Sequence, residues 1–162
     1  MLELPHTSNC LVCGQGNPHG LRLSLFVDPV DGLVTTRLTP TGDHIGFEGI
    51  IHGGLLATVL DEVMVWAATW AGRRFCVCGE LAVRFKESAR VGEEILAMAK
   101  VEAARSKLIT TTGEVRRADG TLLATATGKY VPVNQERNRH FVGTLVEAKE
   151  TKEAAGRLRD AS

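Results

Sequence analysis

The chain has 162 residues, enough for one domain with a substantial core, and its 44% hydrophobic and 23% charged residues are those of an ordinary globular protein. Lysine plus arginine and aspartate plus glutamate number 19 each, so the formal net charge is zero. That balance excludes bulk electrostatic binding of nucleic acid or of an acidic membrane and leaves room only for a local basic patch.

The N-terminus, MLELPHTSNC, has no basic region followed by an apolar run, and no stretch approaches the apolar length of a membrane span. A cytoplasmic protein is expected, with four reduced cysteines. Residues 1–20 read as an irregular lead-in rich in glycine and proline. LRLSLFV (21–27) alternates, placing Leu21, Leu23, Leu25 and Val27 on one face of a strand. DPVDG (28–32) is a turn, and LVTTRL returns as the second strand of a hairpin. Residues 40–50 read as a glycine-rich loop.

From Gly53 to about Trp70 the period becomes helical, with Leu56, Val59, Leu60, Val63, Met64 and Ala67 at three- and four-residue steps and Gly72 as a stop. FCVCGELAVRF then alternates. Its pattern predicts Phe75, Val77, Leu81, Val83 and Phe85 on one face, and Cys76, Cys78, Glu80, Ala82 and Arg84 on the other. EEILAMAKVEA and KLITTTGEVRR read as two more strands, ADG (118–120) as a hairpin turn, and TLLATATGKYVPV as the last strand. From Asn134 the chain is polar, with an exposed helix expected around 144–158 and a disordered end. The reading is an α+β layer in which one long helix covers an antiparallel sheet. One helix covers such a sheet incompletely, so a dimer or larger assembly is expected.

The chemistry concentrates in GIIHGGLLATVLDEV (49–63). Two glycines at a helix start leave N–H groups open to a carbonyl oxygen or an anion, at the positive end of the helix dipole. The same glycines could merely permit close packing. Asp61 and Glu62 lie inside the apolar run, where an unpaired carboxylate is costly; either one is a candidate base, and the residues alone do not choose between them. Cys10, Cys13, Cys76 and Cys78 could in principle make a four-thiolate metal site, but the second pair lies within a strand without a turn. Two reduced pairs and no metal are expected. Trp66 and Trp70 fit core or dimer packing.

GIIHGGLLATVLDEV, CLVCGQGNPHGLRL (10–23) and GELAVRFKESARVGEEI together resemble the hotdog-fold acyl-CoA thioesterases, specifically the PaaI-like branch of the 4-hydroxybenzoyl-CoA thioesterase superfamily. The resemblance covers roughly residues 10–133. It implies a sheet wrapped around one central helix over 1–133, with 134–162 as a charged C-terminal extension. It also implies homodimers or dimers of dimers, joined edge to edge with sites at the interface. Carried over, Asp61 is the base or nucleophile, the Gly53 amide polarises the thioester carbonyl, and His52 is the signature histidine, with Gly54 beside it. Cys78 falls where many members place serine or threonine, and Gly46 where many place asparagine or glutamine. Glu62, Arg84, Lys86, Arg90, Arg105 and Lys107 are candidates for holding the substrate, the cations through coenzyme A phosphates. The implied activity is hydrolysis of a small aliphatic or aromatic acyl-CoA, without metal or cofactor other than coenzyme A as part of the substrate. The alternative is a non-catalytic acyl-CoA binding protein on the same fold.

Overall fold

The computed structural model describes residues 1–146 and 148–159. The elements run β1 (Leu2–Glu3), β2 (His6–Thr7), β3 (Phe26–Val27), β4 (Val34–Leu38), a 3₁₀ turn (Gly42–His44), β5 (Ile45–Phe47), β6 (Ile50–Ile51) and α1 (Gly53–Gly72). They continue with β7 (Cys76–Phe85), β8 (Ile95–Arg105), β9 (Leu108–Arg117), β10 (Leu122–Pro132), α2 (Gln135–Gly143), β11 (Leu145–Val146) and α3 (Lys152–Arg159). Seven strands form one sheet in the order β1-β3-β4-β8-β9-β10-β7, and every pairing is antiparallel.

Helix α1 lies across this sheet because its apolar residues recur on one broad face. Val59, Leu60, Val63 and Met64 have no exposed surface, and burying each contributes about 1.5–3 kcal/mol. The sheet answers with small residues. A Cβ on Gly113 would sit 3.0 Å from Met64 and 3.2 Å from Leu60, so the missing side chain lets the helix come close. By length and composition α1 also meets the requirement for crossing a membrane, contrary to the sequence expectation, but 56% of that apolar window is buried here as the core helix. Its C-terminus closes through Arg73, whose left-handed φ of 50° lets its N–H reach the carbonyls of Thr69 and Trp70.

Four expectations change. The alternation at 21–27 holds in burial, but only Phe26–Val27 joins the sheet. Arg22 takes φ 52°, and Leu21 and Leu23 donate to the carbonyls of Leu11 and Val12 in the lead-in. Residues 40–50 are no plain loop: β5 and β6 pair across a turn in which Gly49 has φ 72°. The face assignment of β7 reverses part-way, because Lys129 pairs with Glu80 and Tyr130 with Cys78, leaving Gly79 as an extra residue. This bulge turns Cys76, buried, to the same side as Leu81 and Val83, and leaves Val77 41% exposed.

The fourth change is the C-terminal segment. The helix expected at 144–158 is present as the shorter α3, packed rather than exposed, and a second packed helix, α2, precedes that range. Asn138 accepts from the Phe75 N–H at 2.8 Å, and Phe141 meets Phe75 edge-on at 5.7 Å. Ala154, Ala155 and Leu158 are buried, the Arg157 guanidinium stacks 4.2 Å from the Trp70 ring, and β11 pairs with β2. The last three residues, for which disorder was expected, lie outside the described residues.

Candidate active site

The start of α1 shows why both glycines are needed. His52 is the N-cap, and its Nδ1 accepts the Gly54 N–H at 2.8 Å. A Cβ on Gly54 would lie 2.8 Å from that same nitrogen, so only glycine leaves the cap intact. The Gly53 N–H precedes the first helical acceptor and finds no partner among the described residues. Phe85 covers one side of it, with a Gly53 Cβ falling 3.2 Å from the ring. Gly46 sits against His52 from the other side, its own Cβ position 3.1 Å from the His52 Cα. The result is a free, dipole-polarised N–H in a narrow setting of Gly46, His52 and Phe85.

Asp61 and Glu62, adjacent in sequence, point to different surroundings. Asp61 turns to the β10–β7 side, where its Oδ1 accepts from the Tyr130 hydroxyl at 2.8 Å. Tyr130 is fully buried. Burial first, and Asp61 second, push its phenol well above the ordinary range, so the hydroxyl stays protonated and donates. Cys78 stands opposite Tyr130 in the ladder and adjoins the same carboxylate. Burial, and then Asp61, push the Cys78 thiol up, which keeps it a neutral donor. Tyr130 is the residue that sequence reasoning missed. Its signal was slight: it is the single tyrosine of the chain, at an inward position of a strand whose neighbours there are alanine and glycine. Gly128 makes room for it, since a Cβ there would meet the ring at 2.6 Å.

Glu62, expected near the substrate, is instead committed elsewhere. Its Oε1 accepts from the Trp66 Nε1 at 3.1 Å and faces Cys10 and Cys13. Burial first, then the Cys10 sulfur, push its carboxyl up to about 7. The Cys13 thiol in turn holds Cys10 below the usual thiol range, and the same contact pushes Cys13 up. All four cysteines are free, and among the described residues Cys76 and Cys78 do not join the Cys10/Cys13 group. Trp66 and Trp70 are core residues.

The basic candidates do not converge. Arg84 lines a groove of about 660 Å³ on the sheet face away from α1, together with Met98, Lys100, Thr112 and Thr127. Lys86 and Arg90 lie beyond the Phe85 end of β7, and Arg90 bridges to Ile50. Arg105 and Lys107 sit at the β8–β9 hairpin, toward the Tyr130 end of the sheet. All five are exposed. A smaller hollow of about 400 Å³ adjoins His52, walled by Leu11, Leu21, Ile45, Leu55 and Thr58.

A seven-stranded antiparallel sheet wrapped on one long helix, with a histidine-capped Gly-Gly start and an aspartate two turns on, is a hotdog fold. Residues 48–124 match the family model described as the thioesterase superfamily. A solved thioesterase superfamily protein is 28% identical, with a TM-score of 0.71, over 76% of this chain and 63% of that one. The Escherichia coli PaaI protein from the phenylacetic acid degradation operon is 19% identical, with a TM-score of 0.65, over 70% of this chain and 81% of that one. A Streptococcus mutans protein solved bound to acetyl CoA is 16% identical, with a TM-score of 0.64, over 69% of this chain and 89% of that one. No curated protein matches the chain.

Proposed function

We propose that the protein hydrolyses a small aliphatic or aromatic acyl-CoA at a site shared between two subunits. The observation that carries this reading is the pairing of a free Gly53 N–H with an Asp61 carboxylate held by Tyr130. Hydrolysis needs both functions: a donor where negative charge grows on the thioester oxygen, and a base or nucleophile at the carbonyl carbon. The acetyl CoA bound to the Streptococcus mutans relative supports coenzyme A as the carrier.

The two groups cannot meet within one chain. Eight residues separate Gly53 from Asp61 along one straight helix, about 12 Å of rise, whereas reacting atoms must approach to about 3–3.5 Å. A second copy resolves this. β7 is an edge strand of ten residues with no partner on its outer side among the described residues, and its Val77 (41%) and Phe85 (55%) are exposed. Long bare edges of this kind are sites of strand pairing. Pairing β7 with the β7 of a second copy lines Gly53 of one subunit against Asp61 of the other. A homodimer or dimer of dimers and a cytoplasmic setting for the reduced thiols belong to this same reading.

In the reaction, the carbonyl oxygen accepts from the Gly53 N–H and the helix dipole draws charge onto it. Asp61 either takes a proton from water as that water attacks or attacks the carbon itself. Tyr130 and Cys78 orient the carboxylate. The thiolate of coenzyme A leaves; in the water route this gives the acid directly, and in the nucleophilic route water then cleaves the Asp61 mixed anhydride, releasing the acid and restoring the Asp61 carboxylate. Hydrolysis of a panel of aliphatic and aromatic acyl-CoAs by wild type and Asp61→Asn tests the reading. Turnover by wild type with a loss of about 10²–10⁴ in the variant is expected. Binding without turnover by wild type would instead make the protein an acyl-CoA binder.

A further inference from the structure

The lead-in that reads as an irregular segment folds tightly around its two cysteines. The Cys10 carbonyl accepts the Gly14 N–H at 3.1 Å, and the Cys10 Sγ accepts the Val12 N–H at 3.4 Å. A Cβ on Gly14 would stand 2.5 Å from both the nitrogen and the oxygen of Cys10 and 2.7 Å from the Ser8 carbonyl. Only glycine permits this turn, and the turn aims both sulfurs at one point on α1. That point is Glu62. The two Sγ atoms and a Glu62 carboxylate oxygen all lie within 4.8 Å of one another, and Cys10 Sγ is 3.9 Å from Oε1.

The spacing matters. Zinc–sulfur bonds of about 2.3 Å and zinc–oxygen bonds of about 2.0–2.2 Å place neighbouring tetrahedral ligands roughly 3.5–3.8 Å apart. A thiol–carboxylate separation of 3.9 Å is near that edge and long for a hydrogen bond. Among the described residues no lysine, arginine or histidine pairs with Glu62. The outer contacts of a metal site are also in place. Trp66 donates to Glu62 Oε1, and Val12 donates to Cys10 Sγ, which is how metal ligands are usually oriented. Two sulfurs and one oxygen favour a thiophilic divalent ion of the zinc class over magnesium or calcium.

We propose that Cys10, Cys13 and Glu62 bind a thiophilic divalent cation of the zinc class, which staples the lead-in to α1 one residue from Asp61. The fourth position belongs to solvent, on the side where Cys10 is only half-buried. This replaces the sequence expectation of no metal. The role is structural, and no step of the proposed hydrolysis passes through the ion.

The test uses the full-length reduced protein, stripped with chelator and titrated with Co²⁺. One Co²⁺ per chain with thiolate-to-cobalt charge-transfer absorption is expected, displaced by Zn²⁺. The double variant C10S/C13S should lose the charge-transfer band and C76S/C78S should keep it. E62Q should keep the band, shift the ligand-field absorption and bind more than about tenfold more weakly. In wild type, Zn²⁺ should protect Cys10 and Cys13 from alkylation, mapped by mass spectrometry, whether or not the double variant folds. No charge-transfer band in reduced wild type, a band that survives in C10S/C13S, or no Zn²⁺ protection of Cys10 and Cys13 would overturn the proposal. None of these readouts depends on acyl-CoA hydrolysis.

Discussion

Tyr130 and Cys78 decide how well Asp61 is held. Tyr130 presents a buried hydroxyl to the carboxylate at 2.8 Å, and a hydrogen bond to a charged acceptor is worth about 1.5–3 kcal/mol. Tyr130→Phe should therefore lower kcat more than it raises KM, because it loosens the base and leaves the carbonyl donor untouched. The same variant carries a pH signature. The folded protein holds the Tyr130 proton far above the ordinary phenol value of about 10, so this group's contribution is complete below that value and is lost as pH rises past it. Cys76, raised to about 11 chiefly by burial, acts in the same direction. Urea unfolding should show wild type losing stability above about pH 10, with a shallower loss in Tyr130→Phe; equal slopes would contradict the buried, protonated phenol. Cys78→Ser supplies a stronger donor in place of a weak one. A several-fold gain in kcat on acyl-CoA is expected, and a loss would mean that the thiol does more than orient Asp61.

The long elements were legible in the sequence because their periods are strong. Leu56 to Ala67 repeats at helical steps for three turns, and each long strand is bounded by glycine or charged turns. What was not legible came from single residues that break a period. Gly79 adds one residue to β7 and flips every side chain before it, which carries Cys78 to Asp61 against the alternation of the sequence. Arg22 breaks a strand whose alternation looked complete. The Asp61–Glu62 choice needed the fold, because adjacent helical residues diverge by about 100° and only the position of Tyr130 and of Cys10/Cys13 tells which acid faces what. In α3, KEAAGRLR has too few apolar residues to announce burial, yet Ala154, Ala155 and Leu158 are covered. Leu158→Ala should cost about 2–5 kcal/mol in chemical denaturation, whereas a solvent-exposed tail would show no change.

For the whole molecule, the proposed reading turns on distance: Gly53 and Asp61, the two groups it assigns to the reaction, do not meet within one chain. Among the described residues the sheet ends in a bare β7 edge, the apolar residues Val77 and Phe85 are exposed along it, and Gly53 and Asp61 lie two turns apart on one helix. In the proposed function assembly and catalysis are then one property. Two inactive variants can separate the halves. Gly53→Pro removes the polarising N–H and needs the Phe85 ring, 3.2 Å from a Cβ there, to give by a few tenths of an ångström; the backbone itself accepts proline at the first helical position, with His52 already at φ −58° and ψ 128°. Asp61→Asn removes only the base. Mixing the two after subunit exchange gives half mixed dimers, each with one intact site, so about a quarter of wild-type acyl-CoA hydrolysis should return. Failure of the mixture to recover activity, with exchange demonstrated by mass spectrometry, would contradict a site built from Gly53 of one subunit and Asp61 of the other.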